Sequence, residues 1–251
     1  MAERWVWSIG LGAAGLLAGS FVAALAVRWP EGRSVMLGRS ACDHCGETLA
    51  PRELIPLASF VLQRGRCRHC GGRIAPLHPI VEGVALVIGG TAGLVAPGLV
   101  GVAGALFGWL LLALATLDLR AFWLPDRLTG TLAIVGIGSA WLAVPPDATD
   151  RLLGAVGGYV SLAGIAWCYR AVRKRDGMGG GDPKVFGAIG LWLGWRMLPA
   201  VLVIAALIGL GAALFAHVRG RSIGAATAMP FGALLAAAAY PAWLAMIGGA
   251  P

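Results

Sequence analysis

Long apolar runs alternate with short polar ones along most of the chain. The runs cover about residues 6–27, 78–96, 99–117, 128–144, 152–169, 183–195, 197–216 and 230–247. Most approach the ~20 residues that a helix needs to cross a hydrocarbon core of ~30 Å. They predict an all-α polytopic membrane protein with about eight transmembrane segments. The first run carries a small-x-small site at Ala24-Leu25-Ala26, as a cleaved signal would. Its length and the early Glu3 and Arg4 mark it instead as a retained spanning helix. The run 183–195 is short, reaching only ~20 Å, which suggests a thinned or water-filled region beside it.

Residues 28–77 form the one long polar stretch. The expected organisation is a first transmembrane helix (1–27), a small cytoplasmic module (28–77) and a membrane core (78–251). Composition agrees. Of 251 residues, 58% are hydrophobic and 13% charged, with a mean hydropathy of +0.79. A soluble surface needs roughly 25% charged residues, so a soluble globule and a disordered chain are both excluded. The formal charge of +8 could suggest nucleic acid, but the basic residues flank apolar runs. With 28–77 in the cytoplasm and the helices alternating from there, 17 Lys and Arg fall on that side. Only Arg4, Arg151 and Arg196 fall on the other. This asymmetry places the polar module inside and both termini outside.

Four of the five cysteines form two pairs, Cys42-Asp43-His44-Cys45 and Cys67-Arg68-His69-Cys70, separated by 21 residues. A two-residue gap lets both thiolates of a turn point at one ion. Two such knuckles are the pattern of a structural Zn2+ site, a zinc-ribbon-like loop with no open coordination position. The metal would fold the loop and not perform hydrolysis. The competing readings are two disulfides, disfavoured in a cytoplasmic loop, and a redox pair. His44 and His69 are alternative ligands that four thiolates make unnecessary. The fifth cysteine, Cys168, lies in an apolar run and reads as packing.

Three acidic positions stand at the edges of apolar runs. Asp118 closes the run 111–117, where a carboxylate is costly unless it serves a polar cavity or pairs with a cation such as Arg120. Asp126 follows Pro125 and reads as an N-cap of the next helix. Asp182 follows Gly177-Met178-Gly179-Gly180-Gly181 and precedes Pro183-Lys184, so it could cap a helix beginning at Pro183. The glycines exceed what a cap requires and permit close backbone approach. No G-K-[ST] follows, so a P-loop is excluded. Asp118 ends one segment and Asp182 begins another at the same membrane face, which permits an aspartic dyad. Two close carboxylates share a proton: one activates water, the other protonates the carbonyl and then the leaving amine.

Together these residues resemble the type IV prepilin peptidases, polytopic bacterial aspartic proteases. The resemblance rests on Gly19-Ser20-Phe21 with Arg28-Trp29-Pro30, the paired knuckles, Ile55-Pro56-Leu57-Ala58-Ser59 and Pro79-Ile80-Val81-Glu82. It continues through Asp118 with Pro125-Asp126 (D-x6-P-D), Gly179-Gly180-Gly181-Asp182 with Lys184 (G-x-G-D-x-K) and Pro230-Phe231-Gly232. Ala23 stands where the family often has asparagine, and Ala233 where proline is common. The resemblance implies Asp118 and Asp182 as catalytic, with Asp126, Gly179, Gly181, Lys184 and Glu82 in supporting positions. It implies cleavage of basic leaders from prepilins or type II secretion pseudopilins at the cytoplasmic face of the bacterial inner membrane. It also implies S-adenosylmethionine-dependent N-methylation of the new N-terminus. Expected partners are those substrates, membrane lipids and other pilus or secretion assembly components, and not nucleic acid. Glu82 and the acids of 28–77 are candidate contacts for the basic leader, or Glu82 an internal partner for an arginine. The alternatives are a peptidase without methyl transfer, a non-catalytic zinc-ribbon scaffold and an ion transporter using Asp118.

Overall fold

The computed structural model describes residues 1–35, 39–42, 44–175, 177–220 and 228–249. Asp43 of the first knuckle and Arg221 of the charge asymmetry lie outside the described residues. The described chain is helical, with eight α-helices and two isolated β-bridges. In order, the helices are α1 (Ala2–Arg28), α2 (Ala58–Leu62), α3 (Leu77–Val95), α4 (Leu99–Ala121), α5 (Asp126–Ser139), α6 (Ala148–Arg173), α7 (Asp182–Val218) and α8 (Phe231–Gly248).

All eight apolar runs are helical. Among the described residues, six helices are long and apolar enough to cross a membrane: α1, α3, α4, α6, α7 and α8. The run 128–144 becomes α5 and a 3-10 turn, and the 14 residues of α5 rise only about 21 Å. The runs 183–195 and 197–216 are two helical segments, labelled together as α7, that meet at a non-helical break at Gly194 (φ 68°, ψ 169°). Only glycine adopts this conformation without strain. Pro146 Cβ also stands 3.0 Å from where a Gly194 side chain would begin. The chain is a multi-pass membrane protein.

The chain divides into two compact units, Met1–Trp109 and Leu110–Pro251, with α4 passing through both. In the first, α1 and α3 run antiparallel at backbone contact. Gly15 lies against the backbone of Ala85, Gly19 against Glu82, and Gly89 against the carbonyl of Leu11. Lipid offers no hydrophobic drive between helices, so small residues that admit close approach supply the packing. Ser8 Oγ adds a hydrogen bond to the Gly90 carbonyl at 2.9 Å.

In the second unit α6 and α7 repeat this device, Gly154 meeting Gly190 backbone to backbone and Gly158 facing Phe186 and Gly187. The first half of α7 is largely buried, through Val185, Phe186, Ile189, Trp192 and Leu193, and Trp192 Nε1 donates to the Leu132 carbonyl of α5 at 2.9 Å. Its second half exposes Val203, Leu207, Leu210 and Leu214, faces that suit lipid. Cys168, expected as packing, lies exposed on α6.

Candidate active site and metal centre

The α4 helix ends one turn beyond Asp118, where the Phe122 N–H bonds to the Asp118 carbonyl and Phe122 turns left-handed (φ 49°). The reversal carries the chain through Leu124 and Pro125 into α5. The Asp118 side chain is 5% exposed. Its Oδ2 accepts the Ala233 N–H at 2.9 Å, and the Gly232 N–H also reaches this carboxylate. These amides belong to the first turn of α8, where N–H groups lack partners within the helix and the dipole favours an anion. Arg120 is exposed and forms no ion pair with Asp118 among the described residues.

Asp182 is likewise 5% exposed and opens α7. The same Gly232 N–H reaches it, and the charge of Asp118 acts on it. The structure thus brings the two aspartates together at the N-terminal turn of α8. Gly179 keeps room for the Asp182 carboxylate, whose Oδ2 lies 3.2 Å from the position of a Gly179 Cβ. A Gly181 Cβ would stand 2.8 Å from Leu124 Cβ, and a Gly232 Cβ 2.7 Å from Leu124 Cδ1. Leu124 therefore wedges between the entrance to α7 and the start of α8, and both glycines are required by that wedge.

Two capping expectations are corrected. Asp126 is the first residue of α5 and makes no side-chain cap bond. Pro125 occupies the cap, and the carboxylate pairs with Lys184 Nζ at 2.7 Å. Asp182 likewise opens its helix after Gly181 without a side-chain cap bond. In both, the carboxylate is drawn to a partner remote in sequence. Lys184, on the other side of that exposed pair, points at Asp126 and not at the aspartate pair. Glu82 is 7% exposed, and its Oε2 accepts the Leu57 N–H at 2.8 Å, fixing the polar module to α3. Its partner is a backbone amide and not an arginine.

The cysteine module is built from two matching turns. The Gly46 N–H bonds to the Cys42 carbonyl and the Gly71 N–H to the Cys67 carbonyl, with both glycines at positive φ. The bridges Ala41–Thr48 and Arg66–Arg73 close the knuckles. The four Sγ atoms lie within 4.8 Å of one another, and Cys42 and Cys70 are 3.9 Å apart. Zn–S bonds of about 2.3 Å arranged tetrahedrally require an S–S edge of roughly 3.8 Å, so the donor set fits a zinc ion. His44 is engaged elsewhere, its Nε2 3.1 Å from the Arg73 carbonyl and its ring against Gly72. Hydrogen bonds from the backbone of Cys45 and His44 hold the Cys42 thiol below its ordinary value, at about 7.

Sequence reasoning missed the α8 amides and Leu124. Their signal was slight: a Pro-Phe-Gly at a helix start and one leucine before a proline. It also read Arg151 as an outer-side charge. The side chain is 5% exposed and donates to the carbonyls of Pro146 (2.8 Å) and Leu191 (2.9 Å) and to Ser139 Oγ (2.9 Å), tying α5, α6 and α7 together. The Leu191 carbonyl would pair with Trp195 in an unbroken helix, and Trp195 follows the break at Gly194.

Residues 13–95 match the bacterial peptidase A24 N-terminal domain, and residues 105–214 match the type IV leader peptidase family. A prepilin leader peptidase/N-methyltransferase of Aeromonas hydrophila is 36% identical over 222 residues, 86% of this chain and 73% of that protein. One from Klebsiella pneumoniae is 35% identical over 210 residues, 80% of this chain and 91% of that protein. No solved structure matches at a significant level. The family models and these relatives together cover the knuckles and both aspartates, and the chain belongs to the type IV leader peptidase family.

Proposed function

We propose that the chain is an aspartic endopeptidase that removes basic leaders from type IV prepilins or type II secretion pseudopilins at the cytoplasmic face of the inner membrane. The observation that carries this reading is the shared environment of Asp118 and Asp182. Both are buried, both are reached by the Gly232 N–H, and among the described residues neither is paired with a lysine or arginine. Carboxylates bound to a cation would be poor proton carriers. In this arrangement one takes a proton from water as the oxygen attacks the scissile carbonyl. The other protonates the carbonyl oxygen; as the tetrahedral intermediate collapses, the first passes water's proton to the leaving amine and the second recovers its own. The helix N-terminus of α8 stabilises negative charge on the pair between these steps.

The substrate would enter as an apolar helix lying in lipid, its leader at the membrane edge. The acids of the polar module give little support to the leader contacts. Glu82 is occupied by the Leu57 amide, and Glu31 pairs with Arg33. Zn2+ bound at Cys42, Cys45, Cys67 and Cys70 supplies a structural cross-link. Methylation of the new N-terminus with S-adenosylmethionine would follow cleavage, a reading that the N-methyltransferase half of the relatives' names supports.

Purified full-length protein incubated with a prepilin, with the leader followed by mass, tests the peptidase. Asp118→Asn and Asp182→Asn keep side-chain volume and should abolish cleavage while membrane insertion and zinc content remain. Full activity in either variant removes the dyad.

A further inference from the structure

The polar module between α1 and α3 carries an apolar surface of its own. Ile55, Val61 and Leu62 are 52%, 70% and 81% exposed, and Leu54 beside them is 43% exposed. They sit on one compact stretch, in which the Ser59 N–H bonds to the Ile55 carbonyl and the Val61 N–H to the Leu57 carbonyl as α2 winds up. A module facing water gains nothing from such a cluster, and an exposed apolar patch with a polar rim marks an interaction surface. Here the rim is basic. Arg52 precedes the stretch, Arg64 and Arg66 follow it, and all three are exposed. Among the described residues no carboxylate pairs with any of them.

Glu82 fixes the depth of this stretch. Leu57 stands in a γ-turn (φ 57°, ψ −47°), the Ala58 N–H bonding to the Pro56 carbonyl at 2.6 Å. This turn is strained for a residue with a side chain, and it is held in place by the Leu57 N–H donating to Glu82 Oε2 at 2.8 Å. Glu82 is the sixth residue of α3, which has 19. Nineteen residues rise ~28 Å, close to the ~30 Å of a hydrocarbon core. The first residue of α3 therefore lies at the core boundary, and the Glu82 backbone ~7.5 Å further in. The packing of α1 agrees, since Gly19 backs onto Glu82 well before that helix ends at Arg28. A turn bonded to Glu82 lies where headgroups meet acyl chains, not out in the solvent.

We propose that residues 54–62 are an interfacial membrane anchor, with the phospholipid leaflet beside α1 and α3 as its partner. Ile55, Val61 and Leu62 enter the acyl boundary, where interfacial segments bury their apolar faces by about 5–10 Å. Arg52, Arg64 and Arg66 extend outward along their apolar stems to the lipid phosphates, which accept charge-assisted hydrogen bonds. A protein partner fits this surface less well. The rim repels a basic leader, and a second copy related by a two-fold axis would set the same arginines against one another. The anchor also runs directly into the metal centre. The Gly65 N–H bonds to the Phe60 carbonyl and the Arg66 N–H to the Gln63 carbonyl, and Arg66 pairs with Arg73 in the bridge that closes the second knuckle. The knuckle is thereby held on the membrane surface by the stretch that precedes it.

Depth-dependent quenching in zinc-loaded full-length protein, reconstituted in phospholipid nanodiscs, tests the proposal. A fluorescent amino acid takes the place of Leu62, and the discs carry phospholipids spin-labelled on the headgroup, on the upper acyl chain or at the chain terminus. Quenching should be severalfold stronger with the upper-chain label than with the chain-terminus label. Native zinc content with no quenching by any of the three overturns the anchor. A second probe, benzoylphenylalanine in place of Val61, should form photo-adducts with phospholipid. Adducts with a second copy of the chain, or with an added prepilin, and none with lipid, overturn the assignment and give the surface to that protein. Both probes replace exposed side chains, and bound zinc reports that the module around them is intact.

Discussion

Asp118 Oδ2 accepts the backbone N–H of Ala233 at 2.9 Å, across 115 residues of sequence. The donor is a first-turn amide with no helical partner, since the i to i−4 ladder of α8 begins when Leu234 bonds to Pro230. Proline at 233 would delete this donor yet be tolerated in the first turn, and the Gly232 N–H would remain. A hydrogen bond to an ionised group contributes about 1.5–3 kcal/mol. Ala233→Pro should therefore slow prepilin cleavage by about tenfold, with the helix content unchanged by circular dichroism. Loss as complete as in Asp118→Asn would show that Ala233, and not Gly232, is the donor that matters.

Gly181→Ala tests the wedge at Leu124. The new methyl would lie 2.8 Å from Leu124 Cβ, which cannot swing away as a side-chain tip can. The entrance to α7 must shift, and Asp182 with it. Misplacement of a reacting group by about an ångström can cost roughly a hundredfold in rate. That loss should appear in kcat for leader removal while zinc content holds. Unchanged kcat would mean that the wedge does not position Asp182.

The Asp126–Lys184 pair predicts the opposite. Its side chains are 73% and 47% exposed, and exposed pairs contribute about 0–1 kcal/mol. Asp126→Asn should leave cleavage within a few-fold of wild type and the melting temperature nearly unchanged. Abolition of cleavage would make Asp126 a member of the catalytic set.

Zinc should follow the thiolates and ignore the histidine. Cys42→Ser or Cys67→Ser should lose metal by elemental analysis and open residues 28–77 to protease, whereas His44→Ala should retain one zinc. The pH dependence has a definite sign. Cys42 is held at about 7 against an ordinary 9.0. Cys45 in the same cluster is pushed the other way, up to about 12, so the sign comes from the metal, whose thiol ligands must be deprotonated: protons displace zinc as pH falls. Metal and protease resistance should be lost together on acidification. Loss on raising the pH would contradict this.

Arg151 should be intolerant of change. Its removal takes the donor from the buried Pro146 carbonyl and the part-buried Leu191 carbonyl, at about 1–3 kcal/mol for each left unsatisfied, while the Ser139 hydroxyl keeps its bond to the Gly136 carbonyl. Lysine lacks the planar fork that reaches several acceptors at once. Arg151→Lys and Arg151→Met should both lower the melting temperature in detergent, while native zinc content marks the first unit as intact. A melting curve like wild type for Arg151→Lys would reduce the hub to a single charge contact.

The sequence by itself determined what short stretches of chain control. In lipid a backbone must satisfy its own hydrogen bonds, so each long apolar run had to become a helix, and each did. The knuckles were legible because two cysteines and a glycine in one turn fix their own geometry. Asp118 and Asp182 were legible as candidates because a carboxylate at the edge of an apolar run needs a reason to be there. Tertiary structure alone decided how these pieces complete one another. Sequence could not show that the runs 183–195 and 197–216 would meet at a non-helical break at Gly194, nor that Asp126 would turn from its own cap to Lys184, 58 residues on. Nor could it show that amides of α8 would meet the buried aspartates, or that an arginine read as a topology marker would bind three helices. Local propensity encodes neither the partner of a buried polar group nor the contacts of a wedge such as Leu124. Those depend on which distant elements the glycine faces allow to close together, and packing settles that only when the whole chain has folded.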